Sequence, residues 1–124
     1  MTSHDTTPGP PRLSFLVLRT RDLERARDFY TLIGLTFARE RHGKGPEHYV
    51  SVSGGGVFEL YPAGEREPDA RTRLGFEVDA VDATAEALAA AGFEVVTPPG
   101  DSPWGYRAEV EDPDGRRVEL MARV

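Results

Sequence analysis

Apolar positions in this chain switch between a spacing of two and a spacing of three to four, and the switches come in a fixed order. Leu13 to Thr20 is a mostly apolar run with branched residues, which predicts a strand. Leu23, Ala26, Phe29, Tyr30 and Ile33 then recur at helical spacing, with Asp22 placed to cap the start and Gly34 to stop the end. Leu35 to Arg41, Tyr49 to Ser53 and Val57 to Tyr61 read as three further strands, separated by a loop at Gly43 to Pro46 and a tight turn at Gly54 to Gly56. Pro62 to Arg71 is polar and reads as a linker, after which the plan repeats. Leu74 to Val78 is a strand, Asp82 is expected to cap an alanine-rich helix ending at Gly92, and Phe93 to Thr97 is the next strand. A Pro/Gly loop containing Trp104 leads to Tyr106 to Glu111, and an Asp-Pro-Asp-Gly turn leads to Arg117 to Ala122.

The repeat offset is 58 residues, both from Phe15 to Arg73 and from Gly34 to Gly92. Each copy closes on an apolar strand with one glutamate inside it, Glu59 and Glu119, 60 residues apart because the second copy has a longer loop. The expected fold is α+β: two βαβββ modules forming a curved, cup-like mixed sheet with helices on the convex face. The expected organisation is a disordered tail over 1–11 and a single domain over 12–124. Within that domain module one spans 12–61, a linker 62–72 and module two 73–124.

Strand side chains alternate between faces, so the more continuously apolar set should meet the helices. That set is Leu16, Leu18, Phe58, Leu60, Leu74, Phe76, Val78, Val118 and Leu120. The opposite face then carries Phe15, Val17, Arg19, Val57, Glu59 and Tyr61 from module one. From module two it carries Arg73, Gly75, Glu77, Arg117, Glu119 and Met121. A purely solvated face has no need of Phe15, Val57, Tyr61 and Met121, whereas a ligand cavity with a few charges does.

Composition narrows the function classes. The 124 residues suit one compact domain, and 39% hydrophobic with 29% charged residues is ordinary globular usage. With no cysteine, disulfides, thiolate metal sites and cysteine nucleophiles are excluded. A formal charge of −6 argues against nucleic acid as partner and is compatible with a cationic small ligand, although acidic balance also simply keeps proteins soluble. No apolar run reaches membrane-spanning length and Met1 to Pro11 lacks the regions of a signal peptide, so no membrane partner and a cytoplasmic location are expected.

The stretches Pro103-Trp-Gly-Tyr-Arg107 and Glu111-Asp-Pro-Asp-Gly-Arg-Arg-Val-Glu-Leu120, with the helix ending in Asp28-Phe-Tyr30 before Gly34-Leu35, resemble the glyoxalase/bleomycin-resistance/dioxygenase superfamily. This superfamily is also called the vicinal oxygen chelate fold, and the likeness is to its bleomycin-resistance branch. It covers Leu13 to Val124. It implies a homodimer and, in metal-bearing relatives, a metal held by one residue from the first and last strand of each module. Here the last-strand positions are Glu59 and Glu119, but the first-strand positions are Phe15 and Arg73, which cannot bind a metal cation. Two protein ligands are too few for tight transition-metal binding. No cofactor is therefore expected, and a divalent metal, if present, would sit on Glu59 and Glu119. Arg73 is expected to replace the metal charge within hydrogen-bonding reach of Glu59 or Glu119.

Among the other candidates, His48 starts a strand and its face is open, since 48/50/52 and 49/51/53 are both plausible inward sets. Facing inward it could act as general base or third metal ligand; facing outward it is a capping or surface histidine. The resemblance carries a ligand-stacking role to Trp104, which could equally cap a core. Gly54-Gly-Gly56 is no phosphate loop, because it joins strands and no Lys-Ser/Thr follows. The ligand-binding set is thus Phe15, Arg73, Glu59, Tyr61, Trp104, Glu119 and Met121. The favoured reading is a metal-free small-molecule binding protein that sequesters an antibiotic or another amphipathic, cationic or aromatic metabolite. An accessory role in biosynthesis without catalysis looks the same in sequence. The alternative is a lyase, isomerase or dioxygenase-like enzyme using Glu59, Glu119 and His48, with or without a divalent metal.

Overall fold

A computed structural model describes residues 8–53 and 56–124. Most of the expected tail and part of the expected turn at Gly54 to Gly56 lie outside them. The element order is β1 (Phe15–Thr20), α1 (Leu23–Ile33), β2 (Ala38–Glu40), β3 (His48–Ser53) and β4 (Gly56–Pro62), then β5 (Leu74–Val78), α2 (Val81–Ala90), β6 (Glu94–Gly100), β7 (Arg107–Glu111) and β8 (Arg117–Ala122). Two βαβββ modules are present, as the repeat implied. The eight strands form two four-stranded sheets, ordered β1-β4-β3-β2 and β5-β8-β7-β6. In each sheet the first strand runs parallel to the last and the remaining pairs are antiparallel.

Local chemistry explains both ends of α1 and the start of β2. The Asp22 carboxylate accepts a hydrogen bond from the Arg25 amide at 3.0 Å, capping α1. Gly34, at φ 130°, ends the helix in a backbone region that favours glycine. The Leu35 amide also folds back onto the Tyr30 carbonyl at 3.1 Å. Residues 35–37 therefore complete the helix end and place Leu35 and Phe37 against the core, so β2 is shorter than the run from Leu35 to Arg41 suggested. In α2 the cap position falls on Ala80 with no side-chain bond, and Asp82 lies in the first turn. Starting the helix at Val81 buries that side chain, and Asp82 accepts a hydrogen bond from the Tyr106 hydroxyl instead. Packing outweighs capping here.

The sheet faces divide as the alternation required. Leu18, Leu60, Val78, Val118 and Leu120 are buried on the helix side, with Leu16, Phe58, Leu74 and Phe76 packed against them. Tyr30 joins the modules through this core: its ring lies 4.9 Å from Phe58 and 6.2 Å from Phe76. Its hydroxyl donates to Asp112 at 2.7 Å. The Asp-Pro-Asp-Gly turn is a second joint between the modules. Arg116, fully buried behind it, donates to the Asp112 carboxylate, the Asp69 carbonyl and the Arg19 carbonyl, and Asp114 accepts from the Arg21 amide.

Candidate functional site

The open faces of the sheets, away from the helices, are built in rows across the strands. In module one the register sets Arg19 beside Tyr61, with His48 and Glu40 continuing that row. The next row is Val17, Glu59, Val50 and Ala38, and the third is Phe15, Val57 and Val52. In module two the rows are Gly75, Glu119, Glu109 and Thr97, then Glu77, Met121, Arg107 and Gly100. This settles the orientation of His48. Tyr49 and Ser51 are the helix-side residues of β3, so His48, Val50 and Val52 face the open side. His48 is nonetheless only 1% exposed, because the Tyr61 ring stacks on it at 4.0 Å and 9°.

The expected partner of Arg73 is not the one found. Arg73 precedes β5 at the level of Arg117, a like charge, and extends to Glu109 on β7 at 2.5 Å. Glu119 is held by the Arg107 Nε, and a second Arg107 nitrogen lies 3.5 Å from Glu109. Two guanidinium groups thus balance two carboxylates on the open face of module two, which strengthens both pairs through shared, charge-assisted bonds. Arg107 and Glu109 were absent from the sequence candidates, although alternation within Tyr106 to Glu111 places both on the face of Glu119. Glu59 differs: it lies half-buried between Val17 and Val50, and among the described residues no cation pairs with it.

These residues do not suit a metal at the first- and last-strand positions. Phe15 offers no donor atom, Arg73 is committed to Glu109, and a guanidinium already occupies one Glu119 oxygen.

Phe15 and Val57 instead border an apolar crevice of about 300 Å³ between the modules, which Leu16, Phe58, Leu74 and Phe76 line more deeply. Gly75 forms part of the wall. A side chain there would meet the Glu119 Oε2 at 3.8 Å, so the glycine leaves room between the crevice and that carboxylate. Phe15 remains 61% exposed and Trp104 77% exposed, so neither is used in the core. Trp104 belongs to the β6–β7 loop, whose Gly105 lies against the Met121 sulfur: a side chain at Gly105 would come within 3.3 Å of it. The Trp104 loop therefore borders the open face of module two. Of the sequence candidates, Phe15 and Glu119 flank the crevice, Met121 and Trp104 share the module-two end, and Tyr61 sits with His48 at the outer end of module one.

A family model for the glyoxalase/bleomycin resistance protein/dioxygenase superfamily matches residues 12–120. A sequence comparison with curated proteins returns no match. Among solved structures, TnmS3, an antibiotic binding protein from Streptomyces sp. CB03234, is 25% identical with a TM-score of 0.74, over 94% of this chain and 99% of that one. A glyoxalase/bleomycin resistance protein/dioxygenase from Nocardioides is 28% identical with a TM-score of 0.66, over 96% and 87%. A variant glyoxalase I from Zea mays is 26% identical with a TM-score of 0.72, over 91% of this chain but 45% of that one. With the family model covering nearly its whole length, this chain belongs to the glyoxalase/bleomycin resistance protein/dioxygenase superfamily.

Proposed function

We propose that this protein binds and sequesters a small amphipathic compound, with an aromatic or aliphatic portion in the inter-module crevice and a cationic group near Glu59. The observation that carries this reading is the crevice itself: about 300 Å³, apolar, bordered by an exposed Phe15 and a module-one face whose Glu59 has no cation among the described residues. That volume is at the small end of ligand pockets and suits one or two rings. A half-buried carboxylate without a partner favours a ligand that supplies the missing charge. The likeness to an antibiotic binding protein of similar length supports an antibiotic as the class of ligand. Binding needs no metal at Glu59 and Glu119 in this proposal, and the active form is a homodimer.

The test is a screen of aromatic amines and antibiotics by Trp104 fluorescence, followed by recovery of each bound compound. Saturable binding with the compound recovered intact is expected, and Glu59→Gln should weaken a cationic ligand about tenfold or more while sparing a neutral one. Light scattering should give twice the mass of the chain. Turnover of the bound compound that is lost in His48→Gln would replace sequestration by the enzyme reading.

A further inference from the structure

We propose a divalent-metal site at the outer edge of module one, held by Glu40, His42 and His48 and separate from the Glu59 and Glu119 positions. Glu40 ends β2, His48 begins β3, and the two are cross-strand partners. His42 follows Glu40 by two residues in the connecting loop, where the Gly45 amide closes a turn on the His42 carbonyl at 2.9 Å. One ligand atom from each of the three lies within 4.8 Å of the others. The Glu40 Oε1 is 3.4 Å from the His42 Nε2 and 3.9 Å from the His48 Nε2. Tetrahedral zinc with ligands at about 2.0–2.2 Å sets them roughly 3.4 Å apart. Of the three pairs, Glu40–His42 already has that spacing, Glu40–His48 must close by about half an ångström, and His42–His48, which lie within 4.8 Å, by up to about 1.4 Å, adjustments that fall to the exposed Glu40 and His42 side chains.

The hydrogen-bond geometry of His48 fits the same role. Its Nδ1 lies 3.2 Å from the Pro46 carbonyl. A carbonyl only accepts, so with the hydrogen on Nδ1 the Nε2 lone pair accepts from the Tyr61 hydroxyl 3.2 Å away and stands 3.9 Å from the Glu40 carboxylate, another acceptor, a repulsion that a shared cation relieves. A histidine that donates one ring N–H to a backbone carbonyl is oriented as metal-binding histidines are, and the stacked Tyr61 fixes its plane. Two imidazoles and one carboxylate select a first-row ion such as Zn²⁺ over Mg²⁺ or Ca²⁺, and leave a coordination position for water or a ligand donor.

Isothermal titration of the full chain with Zn²⁺ tests the site. One equivalent should bind, with affinity reduced at least tenfold in both His42→Ala and Glu40→Gln. These two residues are exposed, so the variants should melt with the wild type. Glu59→Gln and His4→Ala should bind Zn²⁺ as the wild type does. Absence of saturable binding, retention of affinity in either His42→Ala or Glu40→Gln, or loss in Glu59→Gln or His4→Ala would overturn the proposal.

Discussion

Replacing Arg116 by methionine keeps most of the side-chain volume and removes one buried cation. Arg116 is 2% exposed, and the carboxylates it faces, Asp112 at 3.1 Å and Asp114 at 3.5 Å, are 0% and 1% exposed. The substitution strands both charges and leaves the Asp69 and Arg19 carbonyls without the donors now at 2.7 and 2.5 Å. Removing one partner of a buried ion pair costs about 3–5 kcal/mol. Over 124 residues, an unfolding entropy of about 2.1 cal/mol/K each makes 1 kcal/mol worth about 4 °C, so the melting temperature should fall by about 12–19 °C. Thermal and urea denaturation followed by circular dichroism measure this directly. Adding Asp112→Asn and Asp114→Asn to the same chain should recover part of the loss, because the stranded charges are then gone. A fall below about 3 °C for Arg116→Met, or no recovery in the triple variant, would refute the claim that this turn clamps the modules through charge.

Tyr30 makes stability sensitive to alkali. Burial, and then the adjacent Asp112 charge, raise its phenol pKa well above the ordinary value of 10.0. A pKa raised in the folded state gives stability that is fully present below about pH 10 and is lost as pH climbs towards the folded value. Relative to Tyr30→Phe, the wild type should lose about 1.4 kcal/mol per pH unit above about pH 10 in urea titrations, and equal slopes would contradict this. Trp104 is exposed, so Trp104→Ala should change stability by no more than about 0.5 kcal/mol while weakening by about 1–3 kcal/mol a ligand that extends from the crevice onto the open face of module two. A large drop in melting temperature with unchanged affinity would assign the ring a structural role instead.

The repeat and the strand faces were legible because they depend on local periodicity alone. Phe15, Glu59 and Tyr61 on one side and Leu16, Phe58 and Leu60 on the other follow from alternation once the strands are placed. His48 was ambiguous because both parities of β3 mix apolar and polar residues. Its face was decided by Tyr49, which lies under α1 and sends its hydroxyl to Glu24, a contact between elements 25 residues apart. The partner of Arg73 depended on which of several glutamates a long side chain could reach, and that is fixed by the β7–β8 register. Arg116 follows a polar turn and carries no burial signal in the sequence. It is buried because Tyr30, Asp69 and the end of β1 close around it, which no local pattern records. Glu40 and His42 carry no local signal for a site, because an interrupted strand and a charged loop edge bring them to His48.

Backbone amide shifts on titration with a compound from the amine and antibiotic screen map the binding surface without assuming it. Sequestration at the inter-module crevice predicts that the perturbed amides cluster at Ser14 to Leu16, Val57 to Glu59 and Leu74 to Phe76, in saturable fashion and with the compound unchanged. Shifts confined instead to the solvent side of α1 and α2, with the crevice residues silent, would contradict the account.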